Sequence, residues 1–364
     1  MLSYIYNLAT DRHKGLAAGV VKSFLYCLSL IYALAVRVLI FIYRIKPYPL
    51  NCKVISVGNI TLGGTGKTAL VALIAQYLKE QGHKVAILSR GYKKRAARRT
   101  PHAARYETMG DEPYMLKMNL EDVPVLVEAD RIRAAKLAMR DYGADTVILD
   151  DGLQQWRIKK DLEIVTIDAA CPLGNRKLIP RGILREPLSS LKRADMFIFT
   201  KTNLSPAGQQ IKDFLRRINP KALSIESIHN PLGFCRLDKP GELSDVNILT
   251  GKTVTLFSGI GDPDSFEGII RSLGIKIGLS LRFRDHHNYT PEDLDNIIRK
   301  SKERNIDILV TTEKDAVRLY QLPGPRHGAG TPGYQLPVLF LRIELKIIKD
   351  EQEFYNRLLR LYTY

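Results

Sequence analysis

The stretch TLGGTGKT at residues 61–68 follows directly on the apolar run VISVGN. A phosphate-binding loop is usually written G-x-x-x-x-G-K-[ST]. Gly66, Lys67 and Thr68 fit its second half, while Thr61 occupies the position of the first glycine. An apolar strand, a glycine-rich turn and a helix give the context that such a loop requires. The sequence therefore predicts a phosphate loop, and the alternative is an ordinary glycine-rich turn between a strand and a helix.

The residues of this loop have separate predicted roles. The glycines let backbone N–H groups approach an anion, and the N-terminus of the following helix adds partial positive charge. Lys67 is expected to reach the β- and γ-phosphates, and the hydroxyl of Thr68 is expected to bind Mg²⁺. The predicted nucleotide-binding residues are Thr61, Leu62, Gly63, Gly64, Thr65, Gly66, Lys67 and Thr68.

Short apolar runs alternate with helical patterns from Lys53 to Lys201. The runs are VISVG (54–58), KVAILS (84–89), VPVLVE (123–128), DTVILD (145–150), LEIVTID (162–168) and DMFIFT (195–200). Between the first two runs, apolar residues recur at helical spacing from Lys67 to Gln81. Strands that alternate with helices predict a mostly parallel sheet covered on both faces.

A second series of strand-like runs follows a stretch rich in Pro, Gly and Asp around 231–245. The runs are VTLFSG (254–259), KIGLSLRF (276–283), DILVTT (307–312) and VLFLRIEL (338–345). We therefore predict a phosphate-loop NTPase-like α/β fold with a mostly parallel sheet and a second, smaller α/β domain. The predicted boundaries are 1–49 for an N-terminal membrane-associated helix, 50–244 for the phosphate-loop domain and 245–364 for a second domain that closes a cleft.

The N-terminal segment Ser23–Tyr43 reads SFLYCLSLIYALAVRVLIFIY and carries one charge, Arg37. A spanning helix needs about 20 apolar residues, so the length is sufficient. On a helical wheel Lys22, Ser29, Arg37 and Arg44 fall on one side and form a narrow polar stripe. The alternatives are a helix at the membrane surface, a spanning helix and a helix buried against the protein, and we expect the first.

The formal net charge is +17, which favours an anionic partner such as nucleic acid, acidic lipid or a phosphorylated substrate. No nucleic-acid recognition motif supports the first of these, so no nucleic-acid partner is expected. None of the four cysteines stands in C-x-x-C spacing, and their number does not suggest a disulfide framework. No obligate protein partner is predicted.

Three short stretches carry further candidate groups. The Asp pair at 150–151 ends the apolar run TVIL, where phosphate-loop proteins hold a metal-binding aspartate, although a strand-end turn is the alternative. The block GDEP at 110–113 offers a base or a metal ligand, and a helix N-cap is the alternative. The block DHH at 285–287 offers a general base, although such histidines are more often structural.

Two basic stretches are candidates for binding an anion. One is RGYKKRAARR at 90–99, and the other is IPRGILREPL, which contains Arg181 and Arg185. Arginine side chains form charge-assisted hydrogen bonds with phosphate oxygens. A solvated surface loop is the alternative for both stretches.

Together these stretches resemble one family, the tetraacyldisaccharide 4′-kinases. The matching blocks are SVGNITLGGTGKT (56–68), SRGY (89–92), MGDEP (109–113), EADR (128–131), LDDGLQ (149–154), PRGILREPL (180–188), FSGIGDP (257–263), RDHHNYT (284–290) and TTEKDAV (311–317). The resemblance implies an ATP- and Mg²⁺-dependent transfer of the γ-phosphate to the 4′-hydroxyl of a tetraacylated glucosamine disaccharide 1-phosphate in lipid A biosynthesis. It also accounts for Thr61, because this family lacks the usual first glycine.

The resemblance further implies roles for individual residues. Asp111 and His286 match the pair that acts as base on the sugar hydroxyl, and Lys67 completes the catalytic set. The implied metal-binding residues are Thr68, Asp150, Asp151 and Glu112. The candidates for substrate binding are Arg90, Tyr92, Arg131 and Arg185. Two places depart from the family pattern: Gln155 replaces a usual histidine, and KKRAARR replaces a loop that commonly bears glycine.

The expected partners are the acylated disaccharide 1-phosphate lipid and a membrane surface. The expected location is the inner membrane, with peripheral or monotopic attachment and an active site that faces the cytoplasm. Because Asp111 and His286 fall in different predicted domains, we expect hinge closure on nucleotide binding to bring them together. The alternative function is a phosphate-loop NTPase of another class, such as an ATP-driven assembly or metal-insertion factor.

Overall fold

The computed structural model describes residues 11, 15–90, 109–203, 208–320, 322 and 336–363. These residues form two compact units. Unit 1 takes its described residues from Met1–Arg90, Asp122–Ile228 and Lys346–Tyr364, and unit 2 takes its own from Gly91–Glu121 and His229–Leu345. The chain thus enters each unit more than once.

Unit 1 is built on a parallel sheet. Its strands are β1 (Lys53–Gly58), β2 (Val85–Ser89), β3 (Val125–Val127), β4 (Thr146–Asp150), β5 (Leu162–Asp168), β6 (Met196–Thr200) and the first part of β7 (Leu223–Arg236). They follow the order β7-β6-β5-β1-β4-β2-β3, and these pairings are all parallel. Every residue of β2, β4 and β6 is buried, so both faces of the sheet are covered. The end of β1 therefore lies at the middle of the sheet's carboxyl edge.

The α-helices of the described residues are α1 (Leu16–Ile45), α2 (Lys67–Glu80), α3 (Asp111–Asn119), α4 (Arg131–Tyr142), α5 (Gln209–Ile218), α6 (Pro263–Ser272), α7 (Pro291–Lys302), α8 (Glu313–Leu319) and α9 (Glu351–Leu359). In unit 1, alanines of α4 pack with residues of β1, β2 and β4 in one core cluster. A second cluster joins Leu215 of α5 to Phe197 and Phe199 of β6. Small residues on α4 let it approach the sheet closely.

Unit 2 has its own strands and core. The strands are β8 (Lys239–Ser244), β9 (Thr253–Ser258), β10 (Lys276–Arg282), β11 (Leu309–Thr312), most of β12 (Val338–Lys349) and the end of β7. The order is β10-β9-β11-β12-β7, and β8 pairs antiparallel with β7. The strands from β10 to β12 are parallel. Phe257, Leu309 and Phe340 of these strands form one buried cluster with Ile297 of α7.

The predicted α/β class is confirmed, and each of the ten predicted strands is present. The predicted helix from Lys67 is α2, which ends one residue earlier than expected, at Glu80. The stretch around 231–245 that is rich in Pro, Gly and Asp, for which the sequence indicated no strand, carries the end of β7 and all of β8. Gly233 has φ 159°, and a Cβ atom there would lie 2.1 Å from the carbonyl oxygen of Ser244. The glycine thus permits a close approach of two strands.

The compact units differ from the predicted domain boundaries in three places, and one of these is residues 229–244, which group with unit 2. The described residues 109–121 group with unit 2, where α3 packs on α8. Residues 346–363 group with unit 1, where Arg357 Nη2 lies 2.8 Å from Asp195 Oδ1. Hydrophobic periodicity does not reveal which unit such a segment joins, because each segment contacts partners that are distant in sequence. Closure of a cleft by the second domain stays a prediction.

The helix α1 is the one described helix that is long and apolar enough to cross a membrane. Its most apolar window has a mean hydropathy of 2.3, and only 17% of that window is buried. The buried residues are Ala18, Ser29, Ala33 and Val36. Phe24, Ile31, Leu34 and Phe41 are each more than 60% exposed. One side of α1 therefore packs on unit 1, and a wide apolar surface remains uncovered.

Candidate active site

The loop at 61–68 connects β1 to α2. Gly66 has φ 75°, a left-handed conformation that favours glycine, and it directly precedes the first residue of α2. Thr65 is buried, and its hydroxyl lies 2.7 Å from the hydroxyl of Thr166 on β5. The first N–H groups of a helix have no partner within that helix, so those of α2 can donate to a phosphate. The loop is thus fixed to the sheet and presents donors.

Thr61 explains why the first glycine of the motif is dispensable here. It forms an antiparallel β-bridge with Leu184, and it is 5% exposed. The N–H of the next residue, Leu62, donates to the carbonyl oxygen of Ile183 at 2.7 Å. An extended backbone of this kind accepts any residue with a side chain. The position therefore does not require glycine.

The side chain of Lys67 lies in a network of charges at the end of β1. Its Nζ donates to Asn59 Oδ1 at 2.9 Å and lies 3.5 Å from Asp151 Oδ1. The guanidinium of Arg185 donates to both oxygens of Asp151, at 2.9 and 2.8 Å, and it also contacts Asn59. Lys67 and Arg185 are therefore neighbours, and they share the same two partners.

The charges in this network change the acidity of Asp151. Burial alone would raise the pKa of its carboxyl, but the hydrogen bonds and positive charges of Arg185 and Lys67 lower the pKa to about 2. Asp151 is therefore an ionised counter-ion for two cations.

Asp150 is the last residue of β4 and lies beside Val57 of β1 in the parallel register. Its carboxyl is buried and accepts a hydrogen bond from Ser89 Oγ at 3.1 Å. Mg²⁺ binds oxygen ligands and commonly takes one or two protein groups, with phosphate and water oxygens completing its shell. The carboxylate of Asp150, at the end of β4, and the hydroxyl of Thr68, in the first turn of α2, are oxygen ligands of this kind. Within the described residues, no cluster of three His, Cys, Asp or Glu offers a complete metal cage.

Glu112, the remaining predicted metal ligand, belongs to unit 2. Its Oε1 accepts a hydrogen bond from Lys314 Nζ at 2.9 Å. Glu112 therefore forms an ion pair that joins α3 to α8.

The predicted substrate-binding arginines of unit 1 differ in exposure. Arg131, the first residue of α4, is 2% exposed, and its Nη1 donates to the carbonyl oxygen of Glu128. Burial lowers the pKa of this guanidinium to about 10, although the charge of Asp150 opposes the effect. Arg90 follows the end of β2 and is exposed. Tyr92 lies outside the described residues.

The predicted pair Asp111 and His286 is brought together within unit 2. His286 Nδ1 lies 3.1 Å from Asp111 Oδ2. Asp111 begins α3, and His286 adopts a left-handed backbone with φ 58°, its N–H donating to the carbonyl oxygen of Gly259 at 3.0 Å. This distance suits proton transfer. The expectation that the pair forms only by hinge closure is wrong, because both residues belong to the same unit.

Comparisons with known proteins identify the family of this chain. A sequence model of the tetraacyldisaccharide-1-P 4′-kinase family matches residues 21–363. The chain belongs to this family. It is 37% identical to the tetraacyldisaccharide 4′-kinase of Halothermothrix orenii over 337 residues, which cover 87% of this chain and 88% of that protein. It is 38% identical to the enzyme of that name from Syntrophus aciditrophicus, with 86% of this chain and 84% of that protein covered.

A solved structure supports the same assignment. The crystal structure of LpxK from Aquifex aeolicus in complex with ATP matches with a TM-score of 0.73 and 28% identity, covering 94% of this chain and all of that chain. The predicted family and the predicted enzyme class, a kinase, are confirmed.

Sequence reasoning gave the second histidine of the DHH block no separate role. His287 Nε2 lies 2.9 Å from Asp293 Oδ2, and its ring stacks on Phe283 with centroids 4.7 Å apart. It is a structural residue of this 4′-kinase. Asn59 and Arg318, which contact Lys67 and Asp111 respectively, were not predicted as site residues. Their only signal was their place inside or beside the matching blocks.

Proposed function

We propose that this kinase transfers the γ-phosphate of ATP to the 4′-hydroxyl of a tetraacylated glucosamine disaccharide 1-phosphate. The observation that carries the proposal is the Asp111–His286 contact at 3.1 Å in a chain that also holds the phosphate loop and belongs to this family. A phosphate loop alone occurs in many NTPases. A kinase that acts on an alcohol also needs a general base that takes the proton of the acceptor hydroxyl.

Unit 1 binds the nucleotide in this proposal. The N–H groups of residues 63–68 and the first turn of α2 donate to the phosphates, and Lys67 neutralises charge on the transferred group. Arg185 is a second cation at the same place, because it shares Asn59 and Asp151 with Lys67. A Mg²⁺ ion held by Thr68 and Asp150 would neutralise phosphate charge when bound. Arg90, Tyr92 and Arg131 remain proposed contacts of the acceptor.

Unit 2 supplies the base. The Asp111–His286 pair takes the proton of the 4′-hydroxyl while the 4′-oxygen attacks the γ-phosphorus. The bond from the γ-phosphorus to the oxygen shared with the β-phosphate breaks, and ADP leaves. Phosphoryl transfer depends mainly on positioning and charge stabilisation, and a base adds roughly 10²–10⁴-fold. His286 is 38% exposed at its side chain, so an acceptor hydroxyl can reach it.

The helix α1 places the enzyme on the membrane that holds the acceptor. It contacts unit 1 along most of its length: Lys177 Nζ lies over the ring of Tyr26, Ser29 Oγ donates to the carbonyl oxygen of Leu178, and Tyr32 donates to that of Arg185. Near the helix end, Arg157 lies over the ring of Tyr43. A helix docked in this way leaves no free stretch of about 20 residues to cross a bilayer. We therefore place α1 in the interfacial plane, its uncovered apolar side towards lipid.

The predicted polar stripe of α1 needs correction. Ser29 is buried against unit 1, and Lys22 forms an ion pair with Asp11 at 2.7 Å. These two residues therefore face protein rather than lipid phosphates. Arg37 and Arg44 are exposed and remain available to anionic headgroups. Because ATP is cytoplasmic, we propose peripheral or monotopic attachment to the inner membrane with the active site facing the cytoplasm.

The proposed function is tested by the dependence of ATP turnover on the acceptor. The native protein and Lys67→Ala are incubated with ATP and Mg²⁺, with and without dispersed disaccharide 1-phosphate lipid. We expect ADP release only from the native protein and only with the lipid. Equal ADP release with and without lipid would instead identify an NTPase of another class.

A further inference from the structure

The side chain of Arg318 on α8 is almost completely buried in unit 2, with 1% of it exposed. Its Nε donates to Asp111 Oδ2 at 2.7 Å, and its Nη2 lies 3.3 Å from His286 Nδ1. One guanidinium therefore contacts both members of the proposed base pair. The oxygen that it contacts is also the oxygen that lies 3.1 Å from His286.

The other end of this guanidinium is fixed by the protein. Nη1 of Arg318 donates to Asp315 Oδ1 and to the carbonyl oxygen of Gly259, both at 2.7 Å. Asp315 is fully buried and accepts hydrogen bonds from the N–H of Gly259 at 3.1 Å and the hydroxyl of Thr312 at 2.7 Å. Thr312 is the N-cap of α8. The guanidinium of Arg318 is thus held in one orientation by groups at the start of α8 and at the end of β9.

The same backbone also fixes His286. Gly259 accepts hydrogen bonds from the N–H of His286 and from Arg318, and its own N–H donates to Asp315. A shift of Arg318 would therefore alter the position of Asp111 and the surroundings of His286 together. An arginine stays protonated at working pH, so it donates in the same way before and after the hydroxyl proton is transferred. Its planar fork also has a geometry that lysine cannot reproduce.

We infer that Arg318, held by Asp315, is a positioning residue that sets the geometry of the Asp111–His286 pair for proton removal from the acceptor. This inference rests on the proposed function. The structural alternative is that Arg318 only fastens α3 to α8. Such a role would stabilise unit 2 without acting through the pair.

The chain offers a matched control for the structural alternative. Arg342 also joins these two helices, because its Nη2 contacts Asn119 of α3 and its Nε lies 3.6 Å from Glu313 of α8. It does this at the opposite end of α3 from Asp111. Arg342→Lys therefore perturbs the same helix packing and leaves the pair intact.

The test compares Arg318→Lys, Asp315→Asn and Arg342→Lys in the full chain, each in the native and in the Asp111→Ala background. We expect Arg318→Lys and Asp315→Asn to lower kcat by about 10- to 100-fold with an unchanged KM for ATP, and to shift the pH–rate profile. Arg342→Lys should leave kcat within about twofold of native. In the Asp111→Ala background, Arg318→Lys should cause no further loss, since it acts through Asp111.

Thermal unfolding of each variant checks that it is folded, and Asp315→Asn keeps the inference testable if Arg318→Lys does not fold. A native kcat in both Arg318→Lys and Asp315→Asn would overturn the inference while leaving the proposed function intact. The same fold-loss of kcat for Arg318→Lys in the native and in the Asp111→Ala background would do so too. Full activity of Asp111→Ala would overturn both.

Discussion

At the scale of single residues, the two carboxylates at the end of β4 have different surroundings. Asp151 neutralises Lys67 and Arg185, and its pKa falls to about 2, whereas Asp150 is buried beside Val57 of the central strand. The sequence could not separate them, because two adjacent aspartates look alike until their neighbours are known.

We therefore expect Asp150→Asn and Asp151→Asn to differ in their use of Mg²⁺. Asp150→Asn should raise the Mg²⁺ concentration for half-maximal activity by about tenfold or more, since a metal ligand is lost. Asp151→Asn should raise it less and should mainly raise KM for ATP, because Lys67 and Arg185 lose their counter-ion. Titration of activity with Mg²⁺ measures both, and a larger shift for Asp151→Asn would reverse the assignment.

The Asp111–His286 pair leads to a second expectation for single residues. Asp111→Ala and His286→Ala should each lower kcat by about 10²–10⁴-fold and leave ATP affinity unchanged. Residues that work as a unit give non-additive losses, so the double variant should be little worse than the worse single one. His287→Asn is the control, since His287 contacts Asp293 rather than Asp111. Losses that multiply in the double variant would show that the two residues act separately.

At the scale of elements, the sequence predicted the strands well and their connections poorly. The segment of β1, phosphate loop and α2 was predictable because glycine spacing, apolar runs and helical periodicity all agree from Val54 to Glu80. The pairing of β7 with β8 was not predictable, since Pro231 and Gly233 also occur in linkers. The meeting of α3 with α8 depends on contacts such as Glu112 with Lys314, which are separated by 202 positions and leave no local pattern.

The helix α1 gives the expectation that belongs to this scale. Ile31 and Phe41 are 68% and 70% exposed on its uncovered side, and burying such side chains contributes about 1.5–3 kcal/mol each. Ile31→Glu with Phe41→Glu should therefore weaken binding to vesicles by about tenfold or more without lowering the melting temperature. Leu243→Glu with Ile248→Glu, exposed apolar residues of unit 2, serve as control. Unchanged binding in the α1 variant would contradict the interfacial placement.

At the scale of the whole molecule, acid stability should depend on the network at the phosphate loop. Because folding lowers the pKa of Asp151 from 3.8 to about 2, its ionised form stabilises the folded chain above about pH 4, and this contribution is lost as the pH falls through 2. Such a shift corresponds to at most about 2.5 kcal/mol. Since the side chain is 40% exposed, screening should reduce this to about 1 kcal/mol.

Chemical denaturation of native protein and Asp151→Asn at about pH 6 and about pH 2.5 measures this contribution. The native protein should lose about 1 kcal/mol more unfolding free energy between these two pH values than the variant does. An equal loss in both proteins would show that Asp151 contributes nothing to the pH dependence.

The function of the whole molecule was predictable because nine ordered blocks resemble one family, and the family match from residue 21 to 363 confirms it. The geometry of the site was not predictable from spacing. Asp111 and His286 stand 175 positions apart, and only the folded chain shows that they meet in one unit.

In the function proposed here, this chain phosphorylates the 4′-hydroxyl of an acylated disaccharide 1-phosphate. The most direct measurement incubates the full chain with ATP, Mg²⁺ and that lipid, and with its 4′-deoxy analogue, and follows the products by mass spectrometry. We expect the lipid to gain one phosphoryl group and the 4′-deoxy analogue to gain none. Phosphorylation of the 4′-deoxy analogue, or an unmodified lipid in the presence of active ATP turnover, would contradict the proposed function.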